Sequence, residues 1–336
     1  MRILVYIGYQ RLDLTPAAID ACDGVGGTEI AAWQIAKWLA KFGYKISFGG
    51  QVQPGYHANV QWLSIEQCHQ QHFDLVIAAS YLHYLKEFNN FDKSIFWFHN
   101  TDWHMWFRGQ AVIGSEWLQD SRLTAFVALT DWHRQQLQRD HDLQQPVHVI
   151  GNAIDRQTFA NHPIHKKPAS FIYSSSAERG LDRLLNMWPD VRTILPNATL
   201  QVFSPGYDPA QQPKDLPGVQ FMGTVDQLTL HKAQQASEYW LHPTDYEETY
   251  GITALEMQYA GAIPITTNSA ALTEVVADRG FLMDLDETDE QFLRMIKVLH
   301  GSADLKTKLR NKAHQWAKQQ TWFNRAMQWH QLIQSL

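Results

Sequence analysis

The chain has 336 residues, which is enough for two α/β domains of ordinary size. Charged residues make up 18% and the net charge is −6, so the overall charge argues against nucleic acid or an anionic membrane as the partner. Two cysteines, Cys22 and Cys68, are too few for a disulfide framework and favour a reducing compartment. No stretch approaches the ~20 apolar residues of a membrane span. The start "MRILVYIGYQ" is typical of a buried strand rather than a signal peptide, so we expect a cytoplasmic protein.

The first half of the chain alternates between strand-like and helix-like segments. "RILVYIG" predicts a buried strand, and "TEIAAWQIAKWLAKFG" has the apolar spacing of a helix that ends at Gly43. Further short apolar runs follow, and most are separated by helical or loop segments: "YKISFGG", "ANVQWL", "FDLVIAAS", "KSIFWFHN", "TAFVALT" and "VHVIGN". This alternation indicates a mostly parallel sheet covered by helices.

A polar segment, "NAIDRQTFANHPIHKKPAS", interrupts the pattern at 152–169 and predicts a linker. Strand-like and helix-like segments then alternate again, beginning with "SFIYSSS" and "RGLDRLLNMWPDVRTIL". The sequence therefore predicts two doubly wound α/β halves. Ligands of such folds bind at the carboxyl ends of the strands, and two facing halves place the site in a cleft between them.

The stretch "EETYGITALE" (247–256) carries Glu248 and Glu256 on either side of a predicted helix start near Tyr250 or Gly251. The first free amides of that helix, from Ile252 onward, suit a diphosphate, and Gly251 lets an anion approach the backbone closely. Glu248 lies where it can bind sugar hydroxyls, and Glu256 lies roughly 7 Å further along the axis, which suits a ribose. A solvated surface helix is the alternative explanation for the same two carboxylates.

The sequence around the second Glu resembles a specific protein family. Glu248 and Glu256 are separated by seven residues, and "ALEMQYAGAIPITT" (254–267) contains the second Glu and the residues after it. This pattern closely resembles the signature of family-4 retaining glycosyltransferases. The resemblance extends over almost the whole chain and implies the GT-B architecture, with two Rossmann-like doubly wound domains facing across a cleft. It implies an acceptor-side domain at 1–155 and a nucleotide-sugar donor domain at 156–320. The helix at 321–336, "TWFNRAMQWHQLI", would then cross back to the N-terminal domain.

A Gly-Gly loop opens the first long helix in "GVGGTEIAAWQIAKWLAKFGYKISF" (24–48). It is not the dinucleotide fingerprint, because Glu29 stands where that motif requires its third glycine. The loop is similar to the one that approaches the donor phosphate and the acceptor in the family. The resemblance assigns that role to Gly26 and Gly27, and extends it to Thr28 on the acceptor side.

The strand-end histidine in "SIFWFHNTDWH" (94–104) resembles the one that faces the transferred sugar in the family. The resemblance gives this role to His99, whereas a lone histidine is more often structural. Asp102, Trp103 and His104 follow as acceptor-side neighbours. The segment "NTDWHMWFRGQ" (100–110) is aromatic, and a peripheral contact with the inner membrane face through it is left open.

One stretch, "FIYSSSAERGLDRLL" (171–185), departs from the family. There, an Arg at the strand end and a Lys at the helix start clamp the donor phosphates. Arg179 stands at the Lys position, and serines replace the earlier Arg. The resemblance implies that Arg179 binds phosphate and that hydroxyls in 174–176, with Ser175 as the representative, take the place of the second cation.

Together these residues imply transfer of a sugar from a nucleotide-diphosphate sugar, UDP- or GDP-linked, with retention at the anomeric carbon. Glu248, Arg179 and His99 would act at the reacting sugar. The acceptor would be a glycan, a glycolipid or a protein. No cofactor and no metal are expected, since "CHQQH" (68–72) lacks the paired spacings of a zinc site.

Two alternatives stay open at this point. One is another GT-B enzyme, such as a nucleotide-sugar epimerase or a phosphorylase. The other is a non-catalytic nucleotide-sugar or glycan-binding protein, which the missing second clamp cation favours. A dinucleotide oxidoreductase is disfavoured, because no complete fingerprint follows the first strand.

Overall fold

The computed structural model describes residues 1–9, 13–22, 25–101, 113–159, 165–204, 216–286 and 288–336. The chain divides into two compact units. Unit 1 comprises Met1–Ala153 together with Trp322–Leu336, and unit 2 comprises Ile154–Thr321. Among the described helices, none combines the length and the apolar character needed to span a bilayer.

Unit 1 contains eight described strands, whose order in the sheet is β3-β4-β2-β1-β5-β6-β7-β8. They are β1 (Arg2–Tyr6), β2 (Lys45–Gly49), β3 (Gly55–His57), β4 (Val60–Leu63), β5 (Phe73–Ala79), β6 (Phe91–Trp97), β7 (Leu123–Ala128) and β8 (Val147–Val149). All neighbours pair in parallel except β3 with β4. The central strands are buried on both faces, which explains their unbroken apolar sequence.

Six described helices complete unit 1. They are α1 (Pro16–Ala21), α2 (Gly27–Lys41), α3 (Ile65–His69), α4 (Tyr84–Glu87), α5 (Asp131–Asp140) and the last helix of the chain, α12 (Trp322–Ser335). The predicted stop of α2 at Gly43 is confirmed, because this residue has φ +91° just beyond the helix. α12 packs on α2 and buries Trp329, whose ring lies 4.9 Å from that of Trp97 in β6.

Unit 2 contains six described strands, all parallel, in the order β11-β10-β9-β12-β13-β14. They are β9 (Ser170–Ser174), β10 (Thr199–Phe203), β11 (Val219–Phe221), β12 (Tyr239–His242), β13 (Ile263–Thr267) and β14 (Phe281–Met283). The helices of this unit are α6 (Leu181–Ile194), α7 (Gln227–Ala236), α8 (Ile252–Ala260), α9 (Leu272–Val276), α10 (Asp289–His300) and α11 (Ala303–Ala317).

The strand order of each unit reverses at one point, between β1 and β5 in unit 1 and between β9 and β12 in unit 2. In open α/β sheets this reversal leaves a crevice at the carboxyl ends of the two flanking strands, where ligands bind. The predicted fold class, two Rossmann-like doubly wound α/β domains, is confirmed. The reversal in unit 2 lies beside the two stretches that carry predicted site residues, "FIYSSSAERGLDRLL" (171–185) and "EETYGITALE" (247–256).

Candidate functional site

An ion pair at the carboxyl edge of the unit 2 sheet joins two of the predicted site residues. The Arg179 Nη1 atom donates to Glu248 Oε1 at 2.6 Å. The guanidinium also lies 4.2 Å from the centroid of the Tyr246 ring. Burial raises the pKa of Glu248, and the neighbouring Arg179 opposes that rise. The predicted phosphate clamp and the predicted sugar-binding carboxylate are therefore in direct contact.

Gly180 fixes where the arginine lies. It has φ +97° and precedes α6, and a Cβ at this position would lie 2.6 Å from the carbonyl oxygen of Pro243. Only glycine tolerates both the backbone angle and this close approach. The sequence "ERG" (178–180) thus brings Arg179 close to the end of β12. The loop that contains Glu248 begins at this strand end.

The N-terminus of α8 is open to a ligand. Gly251 is its N-cap, with φ +78°, and no side chain caps the helix. Its carbonyl accepts from the Ala254 amide at 3.0 Å and from the Leu255 amide at 3.4 Å, so the amides of Ile252 and Thr253 precede the first bond within the helix. Tyr250 is buried directly before the glycine. This arrangement is that of an anion site on a helix terminus.

Glu256 lies further along α8 and is held by the neighbouring helix α7. Gln234 Nε2 donates to its Oε2 at 2.9 Å, and His231 Nε2 lies 3.7 Å from its Oε1. The His231 ring is stacked on Phe159, with centroids 3.9 Å apart. The carboxylate is thus oriented and keeps acceptor capacity for a further pair of hydroxyls.

The serine run ends β9. Ser174 is buried, Ser175 is half-buried, and the Ser176 carbonyl accepts from the Tyr173 hydroxyl at 2.6 Å. The Ser174 carbonyl accepts from the Thr253 hydroxyl at 3.2 Å, which connects the strand end to the first turn of α8. The hydroxyls of the run therefore lie at the same sheet edge as Arg179.

In unit 1, the Gly-Gly loop begins α2. Gly26 is the N-cap and its carbonyl accepts from the Ile30 amide at 3.1 Å, while Gly27 and Thr28 form the first turn. A Cβ on Gly26 would lie 2.4 Å from Glu29 Oε2, so the glycine makes room for that carboxylate at the helix N-terminus. Gly26 and Gly27 are exposed.

His99 follows β6 and is buried, 5% exposed, against Trp97 at a ring distance of 4.4 Å. Burial is the main cause that lowers its pKa to about 3, and the neighbouring His133 contributes. A neutral imidazole at this strand end suits hydrogen bonding with a sugar rather than charge stabilisation. The other acceptor-side predictions, Asp102, Trp103 and His104, lie outside the described residues.

In the described part of the chain, one group of side chains has metal-ligating geometry: His72, Asp74 and Asp92 of unit 1. His72 already pairs with Asp92 at 3.0 Å, and Asp74 accepts from the Arg2 amide at 2.7 Å. None of the predicted site residues belongs to this group.

The sequence interpretation missed Tyr246, Gln234 and His231. Tyr246 directly precedes the quoted stretch "EETYGITALE" and carried no motif. Gln234 and His231 lie on a helix whose buried face is set by tertiary packing, so their spacing from Glu256 in the sequence gave no signal. Gly180 was visible in "ERG", and its role depends on a contact with Pro243 that only the fold reveals.

Comparison with known proteins gives a family match for part of the chain and a fold for the whole of it. Residues 169–301 match the family model described as glycosyl transferases group 1. A sequence search of curated proteins gives no match.

Solved structures resemble the whole chain. Sucrose-phosphate synthase from Thermosynechococcus elongatus matches with a TM-score of 0.75 and 14% identity, over 100% of this chain and 99% of that one. HepE of Anabaena, in complex with UDP and glucose, matches with a TM-score of 0.71 and 14% identity over 100% of both chains. WaaG, a glycosyltransferase involved in lipopolysaccharide biosynthesis, matches with 0.67 and 15% over 98% of both. At these identities the similarity establishes the fold, which is GT-B.

Proposed function

We propose that this chain, whose residues 169–301 match the family model of the group 1 glycosyl transferases, transfers a sugar from a nucleoside-diphosphate sugar to an acceptor hydroxyl with retention. The observation that carries the proposal is the pairing of Arg179 with Glu248 beside the open N-terminus of α8. A phosphate-binding cation, a sugar-binding carboxylate and an anion site then share the edge where the strand order of unit 2 reverses.

In this proposal the bond between the anomeric carbon and the diphosphate oxygen breaks, and a bond from that carbon to the acceptor oxygen forms. The acceptor's proton ends on the departing diphosphate. Arg179 and the first amides of α8 stabilise the charge that develops on the leaving group, which is the main demand of such chemistry. Glu248 orients the sugar hydroxyls.

Glu256 binds the ribose in this proposal. Gln234 holds one carboxylate oxygen at 2.9 Å, so the side chain is oriented before the nucleotide arrives. The Gly26–Gly27 loop, Thr28 and His99 are proposed as the contribution of unit 1 to the donor sugar and the acceptor. The UDP bound by HepE of Anabaena favours a UDP-linked donor.

The acceptor is proposed to be a glycan, a glycolipid or a protein. The expectation of a cytoplasmic location stays a prediction, as does peripheral membrane contact.

Donor turnover tests the proposal. The purified protein is incubated with UDP-, GDP-, ADP- and TDP-sugars, and released nucleotide is followed for wild type, Glu248→Gln and Arg179→Ala. We expect slow hydrolysis of one donor, with a loss of about a hundredfold or more in either variant, as for removal of a transition-state contact. Glu178→Gln, an exposed carboxylate next to Arg179, is the matched control and should retain wild-type turnover.

A second function has specific support. Arg179 is already paired with a carboxylate and the expected second clamp cation is replaced by serine, which is compatible with a nucleotide-sugar-binding protein that does not turn over its ligand. Binding of one donor by wild type, with neither hydrolysis nor transfer to any acceptor, would favour it. Failure of every nucleotide to bind would contradict both functions.

A further inference from the structure

Two polar residues end the strands that flank the reversal point of unit 2. Ser174 is the last residue of β9, and His242 is the last residue of β12. The two strands are parallel neighbours in which Ile172 lies opposite Trp240. Because Ser174 and His242 each lie two residues further on, both side chains are on the same face of the sheet. Both strand ends therefore border the crevice that the fold forms here.

Both side chains carry a buried polar atom that has no hydrogen-bond partner in the described part of the chain. Ser174 is 8% exposed and His242 is 2% exposed. Neither Ser174 Oγ nor His242 Nδ1 has a hydrogen-bond partner among the described residues. Buried polar atoms are nearly always paired, and leaving one unpaired costs roughly 1–3 kcal/mol. Two such atoms at one strand-end crevice indicate a site that a ligand completes.

The surroundings of this pair favour an anion. Arg179 lies close enough for its charge to act on His242, and its own Nε is buried without a partner among the described residues. The Thr253 hydroxyl bonds to the Ser174 carbonyl and thereby places the first turn of α8 beside the serine. The crevice thus combines one cation, one helix N-terminus and two unsatisfied polar side chains.

His242 is a neutral group in this setting. Burial is the main cause that lowers its pKa to about 3, and the positive charge of Arg179 contributes. Its ring is stacked on Trp240 at 4.8 Å, which fixes its plane. A neutral imidazole can carry its proton on Nδ1 and donate it to an acceptor.

Building on the proposed function, we propose that His242 Nδ1 and Ser174 Oγ donate hydrogen bonds to the diphosphate of the donor, beside Arg179 and the first amides of α8. They are neutral donors standing where the resembled family uses a second cation. Hydrogen bonds to an ionised acceptor are about twice as strong as neutral ones, so two such donors partly offset the loss of a charge.

Calorimetric titration of UDP and of uridine tests this inference, with GDP and guanosine as the second pair. The variants are Ser174→Ala, which removes the hydroxyl, and His242→Phe, which keeps a ring on Trp240. We expect each variant to raise the Kd for the diphosphate about tenfold, as for the loss of one hydrogen bond to a charged group, and to leave the Kd for the nucleoside unchanged.

Two further variants sharpen the test. Ser170→Ala is the matched control, because Ser170 is a buried serine at the other end of β9 whose hydroxyl donates to the Lys167 carbonyl at 2.6 Å. It should bind both ligands as wild type does. His242→Asn places an amide donor near the position of Nδ1 and should restore diphosphate binding to within about threefold of wild type. Thermal unfolding establishes that each variant is folded.

Wild-type diphosphate affinity in both Ser174→Ala and His242→Phe would overturn the inference, and so would an equal loss of nucleoside affinity. Either result would leave the proposed function standing, because wild type would still bind the diphosphate. Failure of wild type to bind any nucleoside diphosphate would instead contradict the proposed function, and the inference with it.

Discussion

At the scale of single residues, the proposed function depends on the protonation state of one carboxyl group, that of Glu248. Glu248 is held between two opposing influences, burial that raises its pKa and Arg179 that lowers it. The net direction is upward from the ordinary value of 4.5. In the proposed function Glu248 binds sugar hydroxyls as a carboxylate, which only accepts hydrogen bonds, and this form is lost as the pH falls through the raised pKa.

We expect the carboxyl carbon of Glu248 to titrate above pH 4.5 in wild type and at still higher pH in Arg179→Ala, since that variant loses the cation which favours the carboxylate. Carbon NMR of glutamate-labelled protein measures this, with the resonance assigned by its absence in Glu248→Gln. Glu178→Gln should leave the titration in place. A shift toward acid in Arg179→Ala would contradict the assigned cause.

At the scale of elements, the two helices that bear and orient Glu256, α8 and α7, are joined by one lysine. The Lys166 ammonium donates to the carbonyls of Ser237 and Ala260, both at 2.8 Å, and lies 3.4 Å from that of Gln234. These carbonyls belong to the C-terminal ends of α7 and α8, where a cation is favourable. Lys166 thus joins the helix that bears Glu256 to the helix that orients it.

Lys166→Met should leave these helix-end carbonyls without their donor and lower the free energy of unfolding of unit 2 by about 2–4 kcal/mol. Urea unfolding measures the change. Lys167→Met, at the exposed neighbour, is the control and should stay within about 0.5 kcal/mol of wild type. Equal stabilities for the two variants would show that these hydrogen bonds contribute little energy.

The same elements show what the sequence can and cannot predict. The start of α8 followed from "YGITALE", because a glycine before an apolar run is a local signal. The strand ends followed from unbroken apolar runs. Lys166 lay in a segment whose composition indicated only a linker, since its partners are carbonyls more than 60 positions away. The pairing of Arg179 with Glu248 was likewise a tertiary contact that no spacing encodes.

At the scale of the whole molecule, the two units differ in how the chain builds them. Every described strand of unit 2 comes from the continuous segment Ile154–Thr321, whereas unit 1 needs both ends of the chain. The last helix of unit 1, α12, buries Trp329 completely. Arg325 also donates to the Asn152 carbonyl at 3.1 Å and so joins the helix to the end of the first segment.

We therefore expect a fragment of residues 154–321 to fold alone and to bind the same nucleoside diphosphate as the full chain, because its sheet and its core are complete. The segment 1–153 should fail to unfold cooperatively until a peptide of residues 322–336 is added, since removal of a buried Trp alone costs about 3–5 kcal/mol. Circular dichroism melts of the two fragments, with and without the peptide, measure both outcomes.

Two altered peptides test the role of the tryptophan. A peptide carrying Trp329→Ala should restore cooperative unfolding of 1–153 poorly, while a peptide carrying Gln331→Ala, at an exposed position of the same helix, should restore it fully. Cooperative melting of 1–153 without any peptide would mean that α12 covers a core that is already stable.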